Sequence, residues 1–203
     1  NSLAVLPDVF VEFSQLTDLN LEDNDLTSLP ESIGKLRQLL LLSLSNNNFA
    51  EIPDPIGNLS QLKELFIRGN SITELPKWIK NLTQLTRLDI SSNKIVNISE
   101  SASNLSQLAQ LSISDNNLTE LPGLVGNLTT LTRLFLDNNK LTGLPKSIEK
   151  LENLVGLHLG GNNFTELPEP IRKLYKLNKL YLQNNQGKTT DKNCIFAFGF
   201  QNQ

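Results

Sequence analysis

Apolar residues recur along this chain in two alternating rhythms. In Leu16–Leu19–Leu21 and Leu131–Leu134–Leu136 the last two positions follow a period of two, and an asparagine stands three places on, at Asn24 and Asn139. A period of two places those leucines on one face of a short strand and the residues between them on the other. A second rhythm follows, in which apolar groups recur every third residue, as in Leu144-Pro145 followed by Ile148 and Leu151. That spacing is close to one helical turn and predicts a tight coil or short helix with one apolar face. Proline suits the start of such a turn, because it lacks only an N–H that has no partner there and its φ is already set.

The two rhythms form a single unit that repeats. Asn24, Asn47, Asn70, Asn93, Asn116, Asn139, Asn162 and Asn185 are each 23 residues apart, and Asn1 lies one period before the first. An apolar residue stands two places after most of them: Leu26, Phe49, Ile72, Ile95, Leu118, Leu141 and Phe164. A unit this short cannot bury its apolar edge alone, but stacked copies pair their strands in parallel around one continuous core. The asparagine falls where the chain leaves the strand. A buried amide at that point can donate to and accept from backbone groups of its own and adjacent turns, forming a ladder.

The repeat L-x-x-L-x-L-x-x-N-x-L-x-x-L-P-x-x-I-x-x-L-x-x resembles the 23-residue class of leucine-rich repeat proteins, similar to Ras-group and bacterial Roco-type members. The resemblance covers residues 1–185 and implies an α/β fold. The implied architecture is a right-handed solenoid with a parallel β-sheet on its concave face and short helices or 3-10 turns on its convex face. Residues 186–203 fall outside the repeat. There Gly187 replaces the expected leucine, and Ile195, Phe196, Phe198 and Phe200 are expected to cover the end of the core. The chain begins within a repeat, with "LAVLPDVFVEF" before the first full strand, so both ends read as incompletely shielded and self-association through them is one expectation.

Composition narrows the function classes. A formal net charge of −3 lacks the basic footprint of a general nucleic-acid binder. No apolar run reaches the roughly eighteen residues that suggest a membrane-spanning helix. The single cysteine, Cys194, rules out an intrachain disulfide framework and favours a reducing, cytoplasmic setting over an extracellular one. One histidine and one cysteine are too few for a zinc set, and they lie on a strand and in the tail respectively, so no catalytic pair, metal or cofactor is expected. The "GKTT" at 187–190 lacks the earlier glycine of a phosphate loop, since Leu182 stands in its place. Sequons begin at Asn58, Asn81, Asn97, Asn104, Asn117, Asn127 and Asn163. Four of these, Asn58, Asn81, Asn104 and Asn127, occupy one repeat position and read as one event copied, although an extracellular ectodomain would use them.

Function in such a fold lies on strand positions that the core leaves free. The column between the inward leucines reads Asn20, Ser43, Phe66, Asp89, Ser112, Phe135, His158 and Tyr181. Phe66, Phe135 and Tyr181 are expected to face solvent, where aromatic groups on a rigid scaffold anchor protein interfaces. The competing reading is that they merely stack along the sheet. Flanking positions contribute Glu64, Arg68, Arg87, Arg133 and Asp137. Arg87 can pair with Glu64 on the rung before it, whereas Arg68 has only Ser45 and Ser91 beside it. The leading expectation is a non-catalytic protein-interaction module whose concave sheet binds a protein partner. The alternatives are the recognition domain of a larger enzyme (a Roco-type GTPase, a kinase or a ligase) and a receptor-like ectodomain.

One rung departs from the pattern. In "LDISSNKIVNISESASNL" Ser99 replaces the proline and Ala102 the isoleucine, while the period remains intact. The strand half is unchanged, so the expectation is a weakened outer turn, and a convex docking spot is the competing reading.

Overall fold

The computed structural model describes residues 3–186. The strands are β1 (Asp18–Asn20), β2 (Leu41–Ser43), β3 (Glu64–Phe66), β4 (Arg87–Asp89), β5 (Gln110–Ser112), β6 (Arg133–Phe135), β7 (Gly156–His158) and β8 (Lys179–Tyr181). They form one parallel sheet in chain order β1 to β8. Each residue pairs with its counterpart one repeat on, as in Leu65↔Leu88 and Phe135↔His158. Every strand-to-strand step thus equals the sequence period, and equivalent side chains line up in columns along the concave face.

The outer half of each described coil is a 3-10 turn, from Phe10–Phe13 through Glu31–Lys35 to Glu169–Lys173. The sequence explains why it is 3-10 rather than α. A 3-10 helix has three residues per turn, so residues spaced by three eclipse one another. Ile33, Leu36 and Leu39 have that spacing and are all fully buried. Their backbones are joined by the same interval, Leu36 N–H donating to Ile33 C=O and Leu39 N–H to Leu36 C=O. The apolar spacing and the hydrogen-bond spacing therefore coincide.

The asparagine ladder forms as the sequence predicts. Asn47 Nδ2 donates to the carbonyls of Leu44 and Ser45 in its own coil, at 3.1 and 3.2 Å, and of Leu21 in the coil before, at 2.9 Å. Its Oδ1 accepts the Leu26 N–H at 2.9 Å. The backbone-to-amide bond recurs from Leu3 to Asn24 through Phe164 to Asn185, so residues 3–16 follow the geometry of the repeat. That first coil leaves apolar groups open, with Val5 78% and Phe13 51% exposed.

A further device precedes each ladder asparagine. Asp23, Asn46, Gly69, Ser92, Asp115, Asn138, Gly161 and Asn184 all adopt positive φ, between 52° and 69°. Asp, Asn and Gly tolerate this left-handed conformation best, which accounts for seven of the eight; Ser92 is the exception. At Gly161 a Cβ would meet the Asn138 amide oxygen, the movable tip of a side chain, so it is the positive φ that favours glycine there.

The irregular rung keeps the common geometry. Ser99 has φ −67° and ψ 152°, against −68° and 151° for Pro30. Its turn, Glu100–Asn104, has the usual length, and Ala102 remains buried. The Ser99 hydroxyl is buried without a hydrogen-bond partner among the described residues.

Candidate functional site

The side chains that project from the sheet build one continuous ridge and one isolated platform. Register places Phe135 beside His158 and His158 beside Tyr181. Their ring centroids are 4.3 and 4.1 Å apart, and His158 and Tyr181 are stacked with 28° between planes. All three rings are half-buried, partly open on the outward face of the sheet and partly covered by one another. The cause is the parallel register itself: rungs spaced about 4.8 Å apart bring like columns to stacking distance. Phe66 stands between Ser43 and Asp89 and has no aromatic neighbour in register. The Arg87 guanidinium covers it instead, 5.2 Å from the ring centroid.

Arg87 also donates to Glu64 Oε2 at 3.1 Å, the pairing predicted from sequence. Arg87 is exposed and Glu64 half-exposed, so the pair orients Arg87 more than it stabilises the fold. Asp89 is committed to its own turn, accepting the Ser91 N–H at 2.9 Å. Arg68 is exposed and has no ion-pair partner among the described residues. The same holds for Arg133 on β6 and Lys179 on β8.

Strand β7 has a feature that sequence reading missed: glycines flank His158 at 156 and 160. Gly156 lies between the stems of Arg133 and Lys179, where an added Cβ would make ordinary contacts at 3.7 and 4.0 Å. At Gly160 an added Cβ would sit 2.5 Å from Gln183 Nε2 and 3.0 Å from Asp137 Oδ1, both tips of side chains that would have to shift. The space is used by Asp137, whose Oδ1 accepts the Gly160 N–H at 3.0 Å. Its Oδ2 accepts from the Ser114 hydroxyl at 3.4 Å and lies 3.6 Å from His158 Nδ1. Burial between the two rings lowers the His158 pKa below its usual value, Lys179 adds to that, and Asp137 opposes it.

The convex face offers a different surface. An open depression of about 570 Å³ lies between the seventh and eighth outer turns, lined by Lys146, Glu149, Glu169 and Arg172 among others. Trp78 lies across the outer turns and donates to Asp54 at 2.8 Å. The aligned sequon asparagines Asn58, Asn81, Asn104 and Asn127 are all exposed at the ends of outer turns. Among the described residues no cluster of histidine, cysteine and carboxylates could hold a metal ion. No described helix is long and apolar enough to cross a membrane. Cys194, the "GKTT" segment and the expected cap residues Ile195, Phe196, Phe198 and Phe200 lie outside the described residues.

The comparisons with known proteins agree with this geometry. The family described as a leucine-rich repeat region matches residues 7–114, 54–136 and 97–194, and the chain belongs to that family. Among solved structures, a leucine-rich repeat protein of Leptospira interrogans is 36% identical with a TM-score of 0.90, over 95% of this chain and 49% of its own. An internalin (inlF) from Listeria monocytogenes is 30% identical with a TM-score of 0.75, over 86% of this chain and 51% of its own. The plant peptide hormone receptor RGFR1, solved in complex with RGF2, is 33% identical with a TM-score of 0.78, over 90% of this chain and 30% of its own. This chain thus spans about half the length of the two bacterial proteins. No curated protein matches it.

Proposed function

We propose that the chain is a non-catalytic recognition module that binds a protein or peptide partner on its concave sheet. The observation that carries this reading is the Phe135–His158–Tyr181 ridge, an aromatic surface fixed on paired strands. Such a surface presents contact area with little conformational entropy left to lose on binding. Arg68, Arg87, Arg133 and Lys179 flank the aromatic positions and supply polar selectivity, with Glu64, Asp89 and Asp137 held in internal contacts. The stacked strands leave little freedom for rearrangement, so docking is close to rigid. The likeness to a receptor solved with RGF2 supports a peptide or protein as ligand. The histidine that could act as a base has its ring faces covered by Phe135 and Tyr181, which supports a binding role over a chemical one.

A photo-crosslinking amino acid placed at Phe66, Tyr181 or, as an outer-face control, Lys150 tests the surface in extract of the source cells. Partner adducts at the two sheet positions and none at Lys150 are expected; the reverse pattern would sink the sheet-face reading.

A second reading, the recognition part of a larger protein, draws on one fact. The chain spans 49%, 51% and 30% of the lengths of the three solved relatives. On location, the lone Cys194 favours the cytoplasm, while the exposed aligned sequons favour an extracellular ectodomain. Fractionation of the source cells with antibody detection decides this; recovery in the cytoplasmic fraction is expected, and recovery outside the cell would overturn it.

A further inference from the structure

The first strand position forms one column across the sheet: Asp18, Leu41, Glu64, Arg87, Gln110, Arg133, Gly156 and Lys179. Its charge is sorted. The acids lie at β1 and β3, and Glu64 is already taken by Arg87 at 3.1 Å. Beyond β5 the column holds only cations and a gap. Arg133 and Lys179 stand two rungs apart, about 10 Å at ordinary strand spacing. Between them Gly156 projects no side chain. The nearest acid on this strand segment, Asp137, is drawn to the other side of the aromatic ridge by Gly160 N–H and the Ser114 hydroxyl. Two cations are thus left without a protein counter-charge beside a stacking surface, among the described residues.

We propose that this notch is an acid-selective subsite: a carboxylate side chain of the partner lodges over Gly156 between Arg133 and Lys179, while an adjoining apolar or aromatic group rests on the Phe135–His158–Tyr181 ridge. The inference rests on the concave-sheet reading above and specifies the chemistry of its occupant, an acidic segment of a protein. Two donors converging on one carboxylate give charge-assisted bonds, and the half-buried rings exclude water from one side of them. Glycine suits this position because any longer side chain would fill the space the ligand needs. The Cβ contacts of 3.7 and 4.0 Å show that the strand itself tolerates a side chain there. The absence of a side chain is therefore not imposed by packing.

The test uses two fluorescein-labelled random copolymers, poly(Glu,Tyr) and poly(Lys,Tyr), with fluorescence anisotropy as the readout. The wild-type protein is expected to bind the acidic copolymer about tenfold more tightly than the basic one despite its own net charge of −3. Gly156→Glu places a carboxylate in the notch from the protein's own strand and is expected to lower acidic-copolymer affinity by about tenfold. The double variant Arg133→Glu/Lys179→Glu reverses the preference. Lys146→Glu/Lys150→Glu makes the same charge change on exposed outer-turn residues and leaves the preference intact. Equal weakening by the outer pair, unchanged binding in Gly156→Glu, or no preference in the wild type would each overturn the proposal. If the double variant does not fold, Lys179→Glu alone, at an exposed position, carries the charge-reversal arm. Failure here with intact crosslinking at Tyr181 overturns the acidic occupant alone; loss of both overturns the sheet-face reading.

Discussion

The Asp137 carboxylate faces the His158 imidazole across neighbouring strands, with Oδ2 3.6 Å from Nδ1. The two residues are 21 apart, the same offset that links each ladder asparagine to the backbone of the preceding coil. His158 has its pKa lowered in the folded chain, chiefly by burial, while Asp137 pulls in the other direction. The sign of the pH dependence follows. The unfolded chain takes up the proton more readily than the folded one, so stability is fully present above the ordinary histidine value near 6.5 and falls as pH drops below it. Removing Asp137 takes away the one influence that raises the pKa. His158 is the only histidine, so its ring protons titrate without ambiguity in an NMR experiment. A midpoint below 6.5 is expected for the wild type, and a lower one for Asp137→Asn. A midpoint that rises in the variant would refute this account of the pair.

Asn93 illustrates what the ladder contributes to the fold. Its amide donates to Ile67, Ile90 and Ser91 carbonyls and accepts from the Ile72 N–H, all at 2.9 to 3.1 Å. Substitution by alanine orphans a buried N–H, at a cost of about 1–3 kcal/mol before any lost packing. Urea denaturation of Asn93→Ala should show that loss. Asn24→Ala, in the partly open first coil, should show less, because water reaches its partners.

Much of this architecture was legible in the sequence, and the reason is physical. Leu65, Leu88 and Asn93 are dictated by a core and a ladder that recur identically in every coil, so a fixed period identifies them. Glu64 and Arg87 were legible for the same reason, since equivalent positions become neighbours once the strands pair. The relations that escaped were diagonal or depended on what a residue lacks. Asp137 reaches the backbone of Gly160, and no column of side chains shows that contact. Phe135 and Tyr181 were expected as separate outward-facing aromatics; that His158 joins them into one stacked ridge was not read from the column. The left-handed residues before each ladder asparagine escaped because Asp, Asn, Ser and Gly share that role and leave no single-letter signature.

Ser99 marks the rung where the repeat departs from its own rule, and the departure can be reversed. Its φ of −67° and ψ of 152° are already those of a proline, and the Ser99 N–H makes no backbone hydrogen bond that a ring would break. Ser99→Pro also removes a buried hydroxyl without a partner. Restricting the unfolded chain at a compatible site stabilises by about 0.4–1 kcal/mol. Thermal and urea unfolding should both move upward; destabilisation would mean that the coil is held by something other than the geometry shared with Pro30.

Gly126 and Gly143 lie on adjacent coils and separate glycine kept for space from glycine that is dispensable. A Cβ at Gly126 would run into the Ser147 carbonyl oxygen and come within 2.9 Å of the Ser147 carbonyl carbon. That neighbour is backbone of the next outer turn, Lys146–Lys150, and it cannot swing aside as a side-chain tip would. Gly126→Ala should therefore destabilise by about 1–3 kcal/mol, the usual cost of overpacking a tight site. At Gly143 nothing lies within 4 Å of the added atom, and the residue is absent from those with positive φ. Gly143→Ala should instead stabilise by about 0.4–1 kcal/mol through the unfolded chain. The two single substitutions, compared by urea midpoint at equal slope, should fall on opposite sides of the wild type. If both fall on the same side, close packing of successive outer turns is not what sets the spacing between rungs.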